Sequence, residues 1–562
     1  MDEWCGLMGC WLCGLYSVLA MLVVARLLVV TARGHNGEGI EHTQFSRHSH
    51  HGQGAPGRGR GAGARHPLKL IKCLLVTKPK KLKLPPGPWT LPLIGSMHHL
   101  VSNPLPYRAM RDLAHKHGPL MMLWLGEVPT VVVSSPEAAQ AITKTHDITF
   151  ADRHMNSTVG IFTFNGMDLI FGSYGEQWRQ LRKLSVQELL SAARVQSFQR
   201  IREEEVGRFM QSLATSATAG TAVDLSKMIA SFVNDTFVRE SIGSRCKYQD
   251  EYLDALGTAM RMAAELSVAN IFPSSRLLQN LSTALRRAMA CRDWMAHIIG
   301  QIIRETKEAM DRADKTSNES FISVLLRLQK EASLPIELTD HIVMALMIDL
   351  FSAGSDSAST TLTWCMTELI RYPATMARAQ SEVREAFKGK TTTITEDELA
   401  RANLSYLKCV AKEALRLHCP VPLLLPRKCR ETCQVMGYDI PKGTCVFVNV
   451  WAICRDAKYW EDPEEFRPER FENSSLDYKG TDYEFLPFGS GRRMCPGGNL
   501  GLANMELALA SLLYHFDWKL PSGVEPKNVD VCEAPGLVAK KNTGLVLHPV
   551  VSRVFAPVNM PN

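Results

Sequence analysis

The segment PFGSGRRMCPGG, residues 487–498, decides how this chain is to be interpreted. It places Cys495 at the end of a glycine-rich loop, just before a helical run that includes Gly501. At a helix start, the free amides and the helix dipole favour the thiolate form of a cysteine, and a thiolate can bind iron. Gly489 and Gly491 allow a tight turn beneath a flat ligand. A lone cysteine after a turn is usually inert, so the surrounding pattern must decide.

The spacing Phe488-x-x-Gly491-x-Arg493-x-Cys495-x-Gly497 resembles the haem-thiolate signature of the cytochrome P-450 monooxygenases. The resemblance implies that Cys495 is the axial ligand of a haem b iron. It also implies that Phe488, Arg493 and Gly497 bind the cofactor, with Phe488 shielding the sulfur from water and Arg493 pairing with a carboxylate. The fold it implies is the cytochrome P-450 fold, mainly α with a minor β-sheet region.

A long helical pattern runs from Leu338 to Tyr372, with a cap at Thr339 or Asp340 and an end before Pro373. Its middle reads Ala353-Gly354-Ser355-Asp356-Ser357, and these residue types are poor helix formers. The segment resembles the oxygen-activation motif of the family. That implies a groove in which dioxygen can sit, with Asp356 and Ser357 as catalytic residues that relay protons. Threonine is usual where Ser357 stands, so leakier oxygen activation is expected.

Further family motifs occur in the expected order along the chain. Trp178 and Arg182 lie four apart on a helical run, hence on one face, and resemble the pair that faces a haem propionate. The segment that ends in Arg427 resembles one that lines the substrate pocket and supplies another propionate-binding arginine. The resemblance therefore implies that Trp178, Arg182 and Arg427 bind the cofactor.

A charge network is expected on the far side of the haem. Glu413 and Arg416 lie three apart on one helical face, and Arg470 follows in a Pro-Glu-Arg-Phe segment. Alone, such a pair is usually a weak surface ion pair. In the family these residues form a structural network, so Glu413, Arg416 and Arg470 are assigned to structure rather than to chemistry.

The pocket and the sheet are predicted from apolar segments. Candidate pocket lining comes from Ile161–Phe164, from Phe351 and Ala353 on the long helix, and from Val421–Leu424. These residues suit a hydrocarbon better than a sugar or a nucleotide, although many of them belong equally well in a core. A β-hairpin is predicted with strands at Leu120–Leu125 and Thr130–Ser134.

The charge distribution excludes nucleic acid as a partner. The formal net charge of the 562 residues is +7, yet residues 56–83 alone carry nine Lys and Arg and no acidic residue. The basic segment suits an anionic membrane surface. The fifteen cysteines are scattered and odd in number, so no disulfide framework is expected.

The N-terminal segment is expected to anchor the chain in a membrane. Residues 4–30 form an apolar run long enough to cross a bilayer as a signal anchor, with Asp2 and Glu3 in place of a basic start. Residues 31–83 form a basic, Gly/His/Arg-rich linker, of which residues 34–66 are expected to be a disordered insert. Residues 84–562 form the haem-thiolate domain, placed on the cytosolic face of the endoplasmic reticulum by a single-pass topology.

Together the motifs indicate a monooxygenase of plant secondary metabolism. The resemblance implies O2 and an NADPH-dependent flavoprotein reductase as partners, a hydrophobic small molecule as substrate, and hydroxylation or further oxidation as reaction. Leu512–Pro521 resembles grass members, several of which oxidise terpenoid defence precursors, so a sesquiterpene or diterpene is expected. Alternatives are a haem-thiolate isomerase or dehydratase working without O2, an indole- or phenolic-type hydroxylase, and a non-enzymatic haem-binding protein. The Asp356 and Ser357 pair favours the monooxygenase.

Overall fold

A computed structural model describes residues 82–101, 103–265, 267–312 and 319–552. The predicted anchor, residues 4–30, and nearly all of the predicted linker lie outside the described residues. These described residues group into one compact unit.

Helices make up most of the described chain, and they vary widely in length. The α-helices are α1 (Pro106–His117), α2 (Pro136–Gln140), α3 (Ser157–Phe162), α4 (Glu176–Leu184), α5 (Ala192–Ser197), α6 (Gln199–Thr218), α7 (Leu225–Ile242), α8 (Gln249–Ala264), α9 (Val268–Ile271), α10 (Arg276–Leu281), α11 (Thr283–Arg312), α12 (Phe321–Glu331), α13 (Asp340–Arg371), α14 (Pro373–Ala386), α15 (Glu396–Ala402), α16 (Ser405–Leu417), α17 (Val450–Ile453) and α18 (Gly498–His515).

The strands are short and form small sheets. They are β1 (Leu120–Leu125), β2 (Val128–Val133), β3 (Asp152–Arg153), β4 (Val223–Asp224), β5 (Arg427–Lys428), β6 (Cys433–Val435), β7 (Tyr438–Ile440), β8 (Cys445–Val448), β9 (Phe516–Lys519) and β10 (Val546–Val551). The largest sheet has the order β1-β2-β8-β5-β3, in which only β2 and β8 pair in parallel. Smaller sheets have the orders β4-β10-β9 and β6-β7. Many helices with minor sheets match the predicted fold class.

The predicted hairpin is present, with a correction at its second strand. That strand begins at Val128 and ends at Val133, so the turn consists of Gly126 and Glu127 alone. Proline has no N–H for a sheet ladder, which is why the sequence pattern favours a turn at Pro129. Pro129 is nevertheless tolerated within β2, because pairing of β2 with β8 begins one residue later, at Thr130.

Helix α13 organises the core. Its N-terminus is capped by the Thr339 side chain, which accepts a hydrogen bond from the Ile342 N–H, and its 32 residues span about 48 Å at 1.5 Å per residue. One apolar cluster packs around its first half, and another, which includes α14, α16 and α18, packs around its second half. By length and hydropathy α13 is the one helix of the described residues that would suit a membrane span, and it is mostly buried inside the protein.

Candidate active site

Cys495 lines a large cavity, whose other lining residues come from many parts of the described chain. The cavity has a volume of about 580 Å³ and mainly apolar walls. The cysteine N–H donates to the Phe488 carbonyl over 2.9 Å, so the loop closes on itself just before α18. Amides of Gly497 and Gly498 point at the sulfur and lower the thiol pKa, as the helix-start prediction requires, but burial outweighs them and raises the pKa of Cys495. Cys495 is exposed and lines the cavity, so its accessible surface faces the cavity.

The glycine-rich loop needs its glycines for different reasons. Gly491 has φ +70°, and a Cβ there would lie 2.2 Å from the Thr143 carbonyl oxygen, which no side chain tolerates. A Cβ on Gly497 would meet no atom within 4 Å, and this glycine lines the cavity together with Phe488. The Phe488 ring packs edge-on against Tyr478, with ring centroids 5.6 Å apart. Phe488 and Gly497 thus lie beside Cys495, where a flat ligand would rest.

Four arginines converge on the cavity wall, and we call them the rim arginines: Arg153, Arg182, Arg427 and Arg493. Arg182 donates to the Met494 carbonyl at 2.6 Å, and Arg427 donates to the Ser490 carbonyl at 2.7 Å. Arg182 and Arg427 therefore hold the cysteine loop through neutral carbonyl groups.

A second segment, the bridging loop (residues 168–172), also receives these donors. Arg493 donates to Gly172 O at 2.5 Å and to Leu169 O at 3.3 Å, and Arg153 donates to Ile170 O at 3.3 Å. The Trp178 indole N–H is committed to the same loop, since it donates to Leu169 O at 2.9 Å. Its ring packs on the Arg493 guanidinium, whose central carbon lies 4.1 Å from the ring centroid. Trp178 therefore lines the cavity through its ring and orients Arg493.

Among the described residues, Arg427 is the one rim arginine that forms an ion pair, with Asp147, so the four guanidinium groups carry excess positive charge. Burial and the nearby Arg427 lower the pKa of Arg493 to about 10. Burial, together with Arg427 and Arg493, lowers the pKa of Arg153 well below its ordinary value, and burial alone lowers that of Arg182. Cations pressed together in this way favour an anionic ligand. The haem group fits, because its carboxylates would face the rim arginines and its iron would face Cys495.

The middle of α13 forms the opposite wall. Ala353, Gly354 and Ser357 line the cavity. The Ser357 hydroxyl donates to the Ala353 carbonyl at 2.7 Å, so its oxygen remains available only as an acceptor. Asp356 lies next to Ser357 but forms an ion pair with Lys540, with Nζ and Oδ1 2.7 Å apart and the Asp356 side chain 28% exposed. The two predicted catalytic residues are thus adjacent, and each is already engaged.

Gly354 has a packing role that the sequence does not reveal. A Cβ at this position would lie 2.2 Å from the Phe237 ring. Helix α7 therefore crosses α13 at the glycine, and Phe237 fills part of the space that the sequence pattern predicts to be a groove.

The predicted pocket lining is partly wrong. Ala353 and Val421–Leu424 line the cavity. Ile161–Phe164 and Phe351 pack instead into the apolar cluster around the first half of α13. Phe351 follows Leu350 and precedes Ala353 in sequence but points to the other side of the helix, where it contacts Tyr252 with ring centroids 5.1 Å apart.

The residues predicted to form a structural network are in contact. Arg416 donates to both carboxylate oxygens of Glu413, at 2.8 and 2.9 Å, and Arg470 donates to Glu413 at 3.0 Å. We call Glu413, Arg416 and Arg470 the Glu413 network. Glu413 and Arg416 are fully buried, and Arg416 also donates to the carbonyls of Cys454 and Pro463.

Sequence reasoning misses several polar residues of the site, namely Arg153, Asp168 and Asp349. No local motif assigns a role to any of them. Asp349 lies four residues before Ala353 and eight before Ser357, so its helical spacing places it on the cavity face of α13. That spacing is the signal that could identify it.

Comparison with known proteins agrees with this geometry. The family model for Cytochrome P450 matches residues 85–548. Dolabradiene monooxygenase from Zea mays is 83% identical over 492 residues, covering 88% of this chain and 96% of the relative. Zealexin A1 synthase from Zea mays is 84% identical over 484 residues, covering 86% of this chain and 95% of the relative.

Solved structures show the same architecture. A zebrafish cytochrome P450 solved with abiraterone superposes with a TM-score of 0.67 at 25% sequence identity. The match covers 80% of this chain and 99% of the zebrafish chain.

Proposed function

The chain belongs to the cytochrome P450 family, and from that premise we propose that it oxidises a terpenoid hydrocarbon, a sesquiterpene or a diterpene, at the cytosolic face of the endoplasmic reticulum. It is a haem-thiolate monooxygenase that uses O2 and electrons from a redox partner to oxidise a hydrophobic substrate. The terpenoid class is supported by relatives named dolabradiene monooxygenase and zealexin A1 synthase. One observation carries the proposal: Cys495 opens on an apolar cavity whose rim is lined with arginines.

Haem, when bound, supplies reductive activation of O2 and insertion of one oxygen atom into a C–H bond. Cys495 is the residue that would hold its iron, and Arg153, Arg182, Arg427 and Arg493 would hold its carboxylates. Neighbouring carbonyls accept hydrogen bonds from the rim arginines and so fix the orientation of their guanidinium groups. The apolar walls would orient a hydrocarbon by contact alone.

Proton delivery is assigned to two residues of α13, Asp356 and Ser357. The reaction consumes two protons and two electrons per O2, with one oxygen atom leaving as water. Ser357 can accept a proton from water and pass its own on only if its bond to Ala353 O breaks transiently. Asp356 must likewise exchange Lys540 for water. We therefore assign both residues to proton relay, with the NADPH-dependent flavoprotein reductase as the electron donor.

The remaining assignments concern placement in the cell. We propose a single-pass anchor at residues 4–30 and a basic linker at residues 31–83, which precede the catalytic domain of residues 84–562. The apolar run and the nine basic residues of 56–83 support this arrangement.

The test uses the full chain in lipid vesicles with a plant NADPH-dependent reductase. Dolabradiene and a panel of sesquiterpene hydrocarbons are supplied under labelled O2, and products are analysed by mass spectrometry. We expect one labelled oxygen atom in a terpenoid product and a thiolate-type spectrum of the reduced carbon monoxide complex. Cys495→Ser should lose that spectrum, whereas Cys532→Ser, at an exposed cysteine, should keep it.

Other outcomes decide between the alternatives. Turnover of indole or phenolic compounds with no terpenoid product would overturn the substrate class. Turnover of a substrate without O2 or NADPH would replace the monooxygenase by an isomerase or dehydratase.

A further inference from the structure

Two carboxyl groups hold the amides of the bridging loop, one from Asp349 on α13 and one from Asp168 in the loop itself. Asp349 Oδ2 accepts the N–H groups of Leu169 and Ile170, at 2.8 and 3.1 Å. Asp168 Oδ2 accepts the N–H of Phe171 at 2.9 Å. The loop therefore presents its amides to carboxyls on one side and its carbonyls to Arg153, Arg493 and Trp178 on the other. Its position sets the positions of these three side chains.

The two carboxyls also contact each other. Asp168 and Asp349 lie within hydrogen-bonding reach, and their side chains are buried, at 1% and 8% exposure. Among the described residues, Asp168 Oδ1 receives no hydrogen bond from an amide, hydroxyl or guanidinium group. Two ionised carboxylates within hydrogen-bonding reach of each other in the protein interior would repel strongly. A proton on Asp349, donated to Asp168 Oδ1, removes the repulsion and supplies the missing donor.

The surroundings decide which carboxyl keeps the proton. Arg493 and Arg153 act electrostatically on Asp168, and so favour its ionised form. Burial and the charge of Asp168 raise the pKa of Asp349 well above its ordinary value. Burial raises the pKa of Asp168 only to about 6. Of the two carboxyls, Asp349 therefore holds a shared proton more strongly, and Asp168 carries the negative charge.

With this proton in place, both carboxyl oxygens of Asp349 take part in hydrogen bonds, although the residue lines the cavity. One oxygen accepts two amides, and the other carries the shared proton. Recognition of a polar substrate group by Asp349 is thereby disfavoured, and a structural role toward the cofactor is favoured.

We propose that Asp349 is a positioning residue that remains a neutral carboxylic acid, donates its proton to ionised Asp168, and so fixes the bridging loop that aims Arg153, Trp178 and Arg493 at the haem. This proposal rests on the proposed function in one respect only, the presence of haem. It requires neither a terpenoid substrate nor turnover.

Isosteric amides test the location of the proton. In Asp349→Asn the carbonyl can still accept both loop amides, and the NH2 group can still donate to Asp168. In Asp168→Asn the negative charge beside Arg493 is lost, and the NH2 group faces the acid proton of Asp349. We expect the haem-loss rate, measured by transfer to apomyoglobin, to stay within about twofold of wild type in Asp349→Asn and to rise about tenfold in Asp168→Asn.

Infrared spectroscopy supplies a readout that does not depend on activity. At neutral pH the wild-type protein should show the C=O stretch of a buried carboxylic acid, which shifts in D2O and is absent from Asp349→Asn. The control is Asp340→Asn, at an exposed carboxylate in the first turn of the same helix, which should keep both the band and the haem.

Defined results would overturn the proposal. It fails if Asp349→Asn loses haem as fast as Asp168→Asn, or if Asp168→Asn keeps haem like wild type. It also fails if no carboxylic acid band disappears in Asp349→Asn, a result that can be obtained even if Asp168→Asn does not fold. Failure of terpenoid oxidation, by contrast, would leave these measurements unchanged.

Discussion

The rim arginines and the arginines of the Glu413 network are both buried, and they differ in how their positive charge is compensated. In the Glu413 network, Arg416 and Arg470 share one carboxylate, and their remaining N–H groups end on nearby carbonyls. The rim arginines also end on carbonyls, but among the described residues only Arg427 of the four forms an ion pair, with its Nη1 3.5 Å from Asp147 Oδ1. In the first cluster one carboxylate contacts both guanidinium groups, whereas three of the four guanidinium groups in the second cluster have no such partner and keep positive charge for an anionic ligand.

The difference teaches how to separate structural from ligand-binding arginines. Both clusters are buried and hydrogen-bonded, so burial does not distinguish them. The distinguishing feature is direct contact with a carboxylate, which Arg416 and Arg470 both have and which Arg153, Arg182 and Arg493 lack among the described residues. Removal of one charge should therefore have opposite consequences in the two clusters.

The largest effect is expected in the Glu413 network. Glu413→Gln leaves Arg416 buried without its carboxylate, which should lower the free energy of unfolding by about 3–5 kcal/mol. Urea denaturation followed by circular dichroism measures the change. Glu469→Gln is the control, because its side chain is 40% exposed and pairs with the exposed Arg378. A loss below about 1 kcal/mol in Glu413→Gln would contradict the structural role.

Acid should destabilise the folded protein through the buried His154, which follows Arg153 in the sequence. Burial, and secondarily Lys428, lowers the pKa of His154 from 6.5 to about 4. Between these values the unfolded chain binds a proton that the folded chain does not, so stability should fall as the pH falls from 6.5 to 4 and then level off. The contribution is at most about 3 kcal/mol.

Thermal unfolding across this pH range tests the assignment. His154→Gln should show a weaker loss of stability toward low pH than wild type. His115→Gln, at an exposed histidine of α1, should follow wild type. Equal pH profiles for wild type and His154→Gln would contradict the burial argument.

Removal of one rim charge should affect the stability of the apoprotein and the affinity for haem in different directions. Arg182→Met relieves crowding of cations in the apoprotein, so the apoprotein should be as stable as wild type or more stable. The haem complex should lose about 1–2 kcal/mol of binding free energy, because one partner of a haem carboxylate is gone. Arg179→Met lies three residues earlier on α4, is about half exposed, and should change neither quantity. Equal destabilisation of apoprotein and complex would place Arg182 with the Glu413 network.

The smallest effect is expected from substitutions of the uncharged Ser357 in the same cavity. They test proton relay without changing the charge of the site. Ser357→Ala removes the hydroxyl and should raise the peroxide released per NADPH consumed. Ser357→Thr adds a methyl group that restricts the hydroxyl rotamer and should lower it. Neither change should alter haem affinity. If both variants couple like wild type, Ser357 does not relay protons.

Contiguous motifs make much of the site predictable. The spacing around Cys495 and the pairing of Glu413 with Arg416 are local patterns, because helix and turn geometry fix which neighbours meet. The bounds of α13 are predicted well for the same reason, since Thr339 and Pro373 mark its ends. Comparison with known proteins confirmed the family and the fold.

Long-range contacts are not predictable in this way. The meeting of Asp349 with the bridging loop joins residues 180 positions apart, and no local pattern encodes it. The pocket prediction for Phe351 is wrong because an apolar residue on a buried helix can face either side. Lys540 reaches Asp356 from the C-terminal part of the chain, and only the folded structure brings them together.

The contact between Gly354 and Phe237 limits how this enzyme can diverge. Any larger residue at 354 must push aside a ring that itself lines the cavity, and α7 would have to move with it. Ala353 and Ser357 already carry a Cβ and also line the cavity. A lineage that acquires new substrates is therefore expected to vary these flanking positions and to retain the glycine, and directed evolution libraries gain most by doing the same.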